Sequence, residues 1–213
     1  MQESPYDREP GYAEHYRDHR FQTGSGSGTD ARERAAIANL LQKVGKLPIA
    51  RDSGLWLDAP CGAGRLSGEL PNDAILLDRD PKMIAAADHT ESRLCASLHA
   101  LPFENETFAG ALCMRLLQHI ATPAERIAIL RELARVTSGP IILSFFDSCS
   151  LQHLRRKLRP ILGRRRSGRV AVSRPRFRQE LHEAGLKLLA MCPLQRFIGE
   201  QTIVLAQTAN PFH

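Results

Sequence analysis

Residues 57–66 read LDAPCGAGRL, a short apolar segment that runs into a glycine-rich turn. Apolar residues at 55–57 lead into Asp58, and Gly62 and Gly64 follow with one residue between them. Glycines at this spacing let the backbone approach a ligand closely, which a Cβ atom would prevent. In an open α/β sheet, the first turn from strand to helix lies at the carboxyl edge, where ligands bind. The stretch therefore predicts an α/β sheet with a ligand site at this turn.

Apolar runs of strand length alternate with helical patterns along the rest of the chain. Strands are predicted at residues 55–58, 74–77, 109–114 and 141–146, followed by a closing antiparallel pair at 186–191 and 202–206. Helices are predicted to begin at Asp30, Asp80, Thr122 and Ser173, the first three at N-capping residues. Alternating strands and helices predict a mostly parallel sheet with helices on both faces.

The residues around the turn indicate which ligand it binds. The dinucleotide fingerprint needs a third small residue at position 67, which is Ser here, and no Gly-Lys-Ser/Thr sequence follows as in a P-loop. The Asp58 carboxylate would repel a pyrophosphate and favours a ligand with positive charge, such as an amino group or a sulfonium. Asp78 ends the second strand, where an acid can accept hydrogen bonds from both ribose hydroxyls. Because of Ser67, a nicotinamide dehydrogenase is the least favoured of the possible functions.

Four ordered motifs resemble those of class I S-adenosylmethionine-dependent methyltransferases, in particular the methyltransferase type 11/25-like domain. They are DAPCGAG (58–64), LLDRDPKM (76–83), LPFENETF (101–108) and LLQHI (116–120), and HEAGLKLL (182–189) is similar to the family's last helix and sixth strand. The resemblance covers roughly residues 35–207. It implies a Rossmann-like, seven-stranded sheet closed by an antiparallel strand. It also implies an enzyme that uses S-adenosyl-L-methionine and releases S-adenosyl-L-homocysteine.

The resemblance also implies the cofactor site, in which the glycine loop holds the methionine end and Asp78 the ribose. Two positions depart from the family: Ser97 and Ala109 stand where an acid is common. The Ser97 hydroxyl can accept one hydrogen bond, so the contact with the adenine amino group is expected to be weaker than in the family but not lost. The predicted cofactor-binding residues are Asp58, Ala59, Cys61, Gly62, Gly64, Asp78, Arg79, Met83, Ser97, Leu98 and Met114.

Candidates for proton transfer and acceptor binding follow the fourth strand. His119 is the candidate general base, which is needed only if the acceptor is a hydroxyl or a protonated amine; the alternative is that it packs against or orients the loop. Arg115 is placed to bind an anionic substrate group or the cofactor carboxylate. The predicted substrate-binding residues are Tyr12, Tyr16, Arg115, Arg155 and Arg165.

Length and composition predict one globular domain. The 213 residues are 43% hydrophobic and 24% charged, a balance typical of a soluble protein. A flexible arm is predicted at 1–28 and the methyltransferase domain at 29–213, with a basic insert at 148–173. The N-terminus has no apolar signal segment, and the five cysteines include no CxxC pair. These features predict a cytoplasmic protein with reduced thiols and without a metal site.

The net charge of +6 comes from one segment. Residues 148–179 contain eleven basic residues and no acidic one. This imbalance favours an anionic partner over a merely solvated surface. Three partners fit: an anionic small molecule or glycolipid, RNA, or an anionic membrane surface, and the scarcity of aromatic residues disfavours RNA. The predicted function is methyl transfer to an anionic small-molecule or lipid-linked acceptor. The alternatives are an RNA methyltransferase and a non-catalytic cofactor-binding scaffold.

Overall fold

The computed structural model describes residues 24–45, 54–71, 73–87, 92–158 and 168–209. Seven strands form one sheet in the order β3-β2-β1-β4-β5-β7-β6. The strands are β1 (Trp56–Asp58), β2 (Ala74–Asp78), β3 (Ser92–Cys95), β4 (Gly110–Cys113), β5 (Pro140–Phe146), β6 (Leu186–Pro193) and β7 (Gln201–Thr208). The five strands from β3 to β5 are parallel, and β7 is antiparallel to both β5 and β6. This arrangement confirms the predicted fold class.

Five helices surround the sheet within the described residues. They are α1 (Gly24–Val44), α2 (Pro81–Ala86), α3 (Pro123–Val136), α4 (Leu151–Leu158) and α5 (Arg174–Glu183). Short 3-10 turns lie at Ser67–Glu69 and Leu117–His119. None of these helices has both the length and the apolar character that a bilayer span requires.

Apolar side chains cover both faces of the sheet. On one face, α3 and α5 pack against the central strands, and the rings of Phe145 and Phe177 stack with centroids 4.0 Å apart. A buried ion pair joins the same two helices. Nε and Nη2 of Arg126, in α3, donate to the carboxylate of Glu180, in α5, at 2.8 and 2.6 Å. On the other face, Ile37 and Leu40 of α1 are buried. Two covered faces explain why β4 and β5 read as continuous apolar runs.

The predicted start of the first helix is wrong. The helix begins at Gly24, so residues 24–28 of the glycine- and serine-rich segment are helical, although the sequence assigns them to a flexible joint. Asp30 lies inside the helix, where its carboxylate binds the side chains of Arg34 and Arg65 instead of capping. The rest of the predicted arm, residues 1–23, lies outside the described residues.

The other two predicted caps are confirmed. The Asp80 carboxylate accepts a hydrogen bond from the Lys82 backbone N–H at 3.0 Å, and the Thr122 hydroxyl accepts one from the Glu125 N–H at 3.2 Å. Each cap fixes a helix start just beyond the carboxyl edge of the sheet. The strand β3 was not predicted, because its sequence SRLC lies exposed or half-buried at the sheet edge and has no apolar run.

Candidate functional site

A cavity opens at the carboxyl edge of the sheet, where β1, β2 and β4 end side by side. The strand ends supply two carboxylates, Asp58 and Asp78, and the turn after β1 supplies the floor. The walls are partly apolar and partly basic. The lining residues are Asp58, Pro60, Cys61, Gly62, Arg65, Leu66, Asp78, Met83, Met114 and Arg115.

The glycine turn is hydrogen-bonded to β4 on one side and to β2 on the other. The Ala59 N–H donates to the Leu112 carbonyl in β4, and the Cys61 N–H donates to the Leu77 carbonyl in β2, both at 2.9 Å. Gly62 and Gly64 follow with φ angles of 58° and 73°. Only glycine adopts this left-handed region without cost, so the chain reverses here with its backbone open to the cavity.

Asp78 is the best-organised acid in the cavity. Its Oδ2 accepts a hydrogen bond from the Gly62 N–H at 3.0 Å, and its Oδ1 accepts one from the Asp80 N–H at 2.9 Å. A carboxylate offers about four acceptor positions, so each oxygen keeps one for a ligand hydroxyl. Burial raises the pKa of the Asp78 carboxyl, and the two backbone donors oppose this rise. The side chain is therefore fixed in position before any ligand binds.

Asp58 is positioned by Ser67, the residue that departs from the dinucleotide fingerprint. The Ser67 hydroxyl donates to Asp58 Oδ2 at 2.7 Å, and both side chains are buried.

Two buried cysteines lie close to these acids. Burial, and then the negative charges of Asp58 and Asp78, raise the pKa of the Cys61 thiol, and burial also raises the pKa of the Cys113 thiol. Both thiols therefore stay neutral and act as small buried groups rather than nucleophiles.

A network of charges joins α1 to the glycine turn. The Glu33 carboxylate is fully buried and accepts hydrogen bonds from Arg65, Arg115 and Gln201. Arg65 also binds Asp30 one helical turn away. Burying a carboxylate is costly unless cations and hydrogen-bond donors surround it. The network therefore fixes α1 over the cavity and holds two guanidinium groups at its rim.

Arg115 is held in a conformation that residues other than glycine seldom adopt. Its φ angle is 59°, and its backbone N–H donates to the Ser144 hydroxyl at 2.8 Å. Its side chain donates to Glu33 at 2.7 Å and to Gln201 at 3.3 Å. Backbone strain of this kind persists where surrounding contacts over-determine it, and such places are common at ligand sites.

The structure brings seven of the predicted residues to the cavity lining. These are Asp58, Cys61, Gly62, Asp78, Met83, Met114 and Arg115. Sequence reasoning missed three lining residues, namely Pro60, Arg65 and Leu66. All three belong to the opening stretch itself, so the signal that could have found them is their position inside the turn.

Six other predicted residues are not part of the cavity lining. Ala59 is fully buried beneath the turn, and Gly64 closes it through a hydrogen bond to Cys61. Leu98 packs in the main core. Three more predicted residues are exposed, namely Arg79, Ser97 and His119. The Ser97 hydroxyl lies 3.2 Å from His99 Nδ1 and accepts from the His99 N–H, and His119 ends the 3-10 turn after β4.

A second cleft contains the predicted substrate residue Arg155. The cleft lies between α4 and the connection from β6 to β7, which reaches the same sheet edge as the cavity because Gln201 pairs with Phe146 at the end of β5. It is lined by Gln152, Arg155, Arg156, Arg169, Gln195, Ile198 and Glu200. The other predicted substrate residues, Tyr12, Tyr16 and Arg165, lie outside the described residues.

Residues 57–139 match a family model described as "Methyltransferase domain". This match begins at the glycine turn and ends before β5, so it contains both acids of the cavity. A search of curated proteins gives no match.

Solved structures of methyltransferases share the fold over most of the chain. The magnesium protoporphyrin IX methyltransferase of Synechocystis, solved with bound S-adenosylhomocysteine, is 14% identical, covers 92% of this chain and 97% of its own, and has a TM-score of 0.69. The same enzyme has been solved with S-adenosylmethionine. A Methanosarcina mazei methyltransferase dependent on S-adenosylmethionine is 17% identical, with coverage of 79% and 96% and a TM-score of 0.63.

A third neighbour is a chain from the complex between the Haloferax volcanii Trm112 methyltransferase activator and a methyltransferase. It is 14% identical, with coverage of 87% and 95% and a TM-score of 0.58. At these identities the neighbours establish the fold, and the family match adds the domain type.

Proposed function

We propose that this chain, which carries a class I S-adenosylmethionine-dependent methyltransferase domain, transfers the methyl group of that cofactor to an anionic small-molecule or lipid-linked acceptor. The domain and its cofactor are the premise, given by the family match and the shared fold. The roles of individual residues and the class of acceptor are the proposal.

The cavity at the carboxyl edge fits the proposed cofactor. Asp78 has one free acceptor position on each oxygen, which suits the two neighbouring hydroxyls of a ribose. Gly62 and Gly64 leave room beside the backbone for the methionine end, and the Asp58 carboxylate supplies negative charge for its amino group. Met83 and Met114 add polarisable apolar walls to the cavity.

The protein contributes to methyl transfer mainly by aligning the acceptor with the methyl group. The sulfonium of the bound cofactor supplies an already activated methyl group, so a nucleophile needs to be held in line in a site that excludes water. Arg115 stands at the cavity rim with its guanidinium held by Glu33, which suits it to orient a carboxylate or phosphate of the cofactor or acceptor. We assign His119 as the general base for a hydroxyl or protonated amine acceptor.

The arginine-lined cleft beside α4 is the main support for an anionic acceptor. Arg155, Arg156 and Arg169 converge there, and the only acid among the lining residues, Glu200, is 2% exposed and lies 3.1 Å from Arg156. This cleft lies at the same sheet edge as the cofactor cavity, so an anionic acceptor bound there would be held at the edge where the methyl group is presented.

A second candidate, RNA methylation, rests on the same concentration of positive charge. Counterion release would make RNA affinity fall steeply with salt, and replacing Arg164, Arg165 and Arg166 by Ala would weaken it further. Within the described residues, however, Phe197 is the one aromatic side chain that is largely exposed. Single-stranded RNA is normally bound through several aromatic stacking platforms, so the cleft favours a smaller anion.

The test is methyl transfer from labelled cofactor into a fractionated cell extract. We expect label in the lipid fraction or the anionic small-molecule fraction, and no label with the Asp78→Ala variant. Asp73→Ala is the matched control, because Asp73 is an exposed acid immediately before the opposite end of β2, the strand that Asp78 ends. Label confined to RNA would establish the second candidate, and no label in any fraction would establish a scaffold instead of an enzyme.

A further inference from the structure

Five large apolar side chains are exposed in one region of the described chain. They form the apolar ridge, which consists of Leu151, Leu154, Leu158, Phe197 and Ile198, with exposed fractions of 42%, 54%, 45%, 72% and 56%. Within the described residues, no other large apolar side chain is exposed. Single exposed apolar residues are ordinary, but a contiguous group marks a binding surface.

The ridge is one surface because backbone hydrogen bonds join its two parts. The N–H groups of Leu151 and Gln152, at the start of α4, donate to the carbonyls of Phe197 and Ile198, both at 2.9 Å. Further along α4, the Arg156 guanidinium lies 3.1 Å from the buried carboxylate of Glu200, which precedes β7. These contacts fix α4 against the connection between β6 and β7, so the leucines and the exposed Phe197 and Ile198 belong to one rigid unit.

The arginine-lined cleft lies directly beside the ridge. At about 100° per residue, Leu151, Leu154 and Leu158 fall on one stripe of α4, and Arg155 separates this stripe from the cleft-facing Gln152. The cleft has a volume of about 580 Å³, which is enough for a phosphate-bearing headgroup. Exposed cations surround the ridge, namely Arg155, Lys157, Arg169 and Arg196.

We propose that the apolar ridge and the cleft together dock the protein on a membrane surface that contains anionic phospholipids. The leucines, Phe197 and Ile198 would enter the boundary between headgroups and acyl chains, and the cleft arginines would bind phosphate groups. Neither signal alone gives firm membrane association, whereas the combination of apolar area and cations does. Four of the five ridge side chains are aliphatic, which suits acyl chains and gives RNA bases little to stack on.

This docking adds to the proposed function a way of reaching a lipid-linked acceptor. The surface lies at the carboxyl edge of the sheet, the edge at which the cofactor cavity opens. If the proposed function holds, a protein docked through this surface would present its cavity towards lipid-linked acceptors rather than soluble ones. Membrane binding itself needs no methyl transfer, so the two proposals fail separately.

The experiment is flotation of the full chain with unilamellar vesicles, without cofactor. One set contains phosphatidylcholine alone, and the other contains phosphatidylcholine with phosphatidylglycerol. We expect binding to the anionic vesicles and at least about tenfold weaker binding for the Leu154→Gln/Phe197→Gln and Arg155→Gln/Arg169→Gln variants. Leu154→Met/Phe197→Leu keeps the ridge apolar and should retain binding. Arg178→Gln, which removes an exposed charge on α5, is the matched charge control, and Asp78→Ala should float like the unmodified protein.

Several outcomes would overturn the proposal. They are the absence of flotation with anionic vesicles at low salt, and undiminished flotation of the Leu154→Gln/Phe197→Gln variant or of the Arg155→Gln/Arg169→Gln variant. A self-associated protein that becomes monomeric in that variant by sedimentation velocity would mean that a second copy covers the ridge. Tight binding of single-stranded RNA that is lost in the same variant would assign the surface to RNA.

Discussion

The cofactor cavity and the surface formed by the apolar ridge and the arginine-lined cleft lie at the same edge of the sheet. They differ in whether their charged side chains are buried or exposed. Asp58 and Asp78 in the cavity lining are buried, as is Glu33, which holds Arg65 and Arg115 at the cavity rim, and each of these acids accepts hydrogen bonds from other residues of the protein. On the surface, Arg155 and Arg169 are exposed beside large apolar side chains.

This difference separates two tasks. Buried and paired charges hold one geometry, as a site for a defined small ligand requires. Exposed cations beside apolar side chains adapt to a surface whose groups are mobile. The cavity therefore suits the methyl donor, and the surface suits the acceptor or the membrane that carries it.

Removing one charge from each region should have very different effects on stability. Glu33→Ala would leave Arg65 and Arg115 without their shared buried carboxylate, and we expect a loss of about 3–5 kcal/mol in the free energy of unfolding. Arg155→Ala removes an exposed charge and should change that free energy by about 0.5 kcal/mol or less. Urea denaturation measures both. Similar losses in the two variants would show that the burial of charge does not distinguish the regions.

The glycine turn gives a test confined to the cavity. Gly62 has a φ angle of 58°, so Gly62→Val forces a β-branched residue into the left-handed region and narrows the cavity. We expect affinity for S-adenosylhomocysteine to fall by about a hundredfold or more, measured by calorimetry. Gly68→Val is the matched control, because a Cβ atom at Gly68 meets nothing within 4 Å. Equal affinity in both variants would contradict the role of the turn.

The smallest expected effect is a pH dependence of cofactor binding. Burial raises the pKa of the Asp78 carboxyl, and its protonated form gives up acceptor capacity for ribose hydroxyls. Affinity for S-adenosylhomocysteine is therefore complete above the raised pKa, and it declines as pH falls through it, beginning at a higher pH than for an ordinary aspartate. Calorimetric titrations between about pH 7.5 and about pH 5 would follow this decline. Asp78→Asn should bind weakly with a flat profile, and a flat profile in the unmodified protein would argue against this carboxylate.

Sequence reasoning predicted the fold and most of the cavity because both depend on local patterns. Buried strands appear as apolar runs, and Asp58, Gly62 and Asp78 occupy strand ends and turns that the parallel sheet brings to one edge. Capping chemistry also predicted the starts of α2 and α3, where the Asp80 and Thr122 side chains accept backbone hydrogen bonds.

The missed features depend on contacts between distant parts of the chain. Asp30 and Glu33 have the spacing of a helix start, but they lie inside α1. There Arg65 binds both carboxylates and Arg115 binds that of Glu33, from elsewhere in the sequence. Ser67 gains its role only when the turn folds back and its hydroxyl reaches Asp58. Phe197 likewise gives no signal alone, since it joins the leucines of α4 only through backbone hydrogen bonds across 46 residues.

A calorimetric titration of S-adenosylhomocysteine into the unmodified protein, Asp78→Ala and the control Asp73→Ala tests the cofactor site itself. We predict that the unmodified protein and Asp73→Ala bind with equal affinity and one-to-one stoichiometry. Asp78→Ala should bind about a hundredfold more weakly, because two hydrogen bonds to a charged acceptor are lost. Circular dichroism would confirm that all three are folded. Equal affinity in all three proteins, or no binding by the unmodified protein, would contradict the proposed cofactor site.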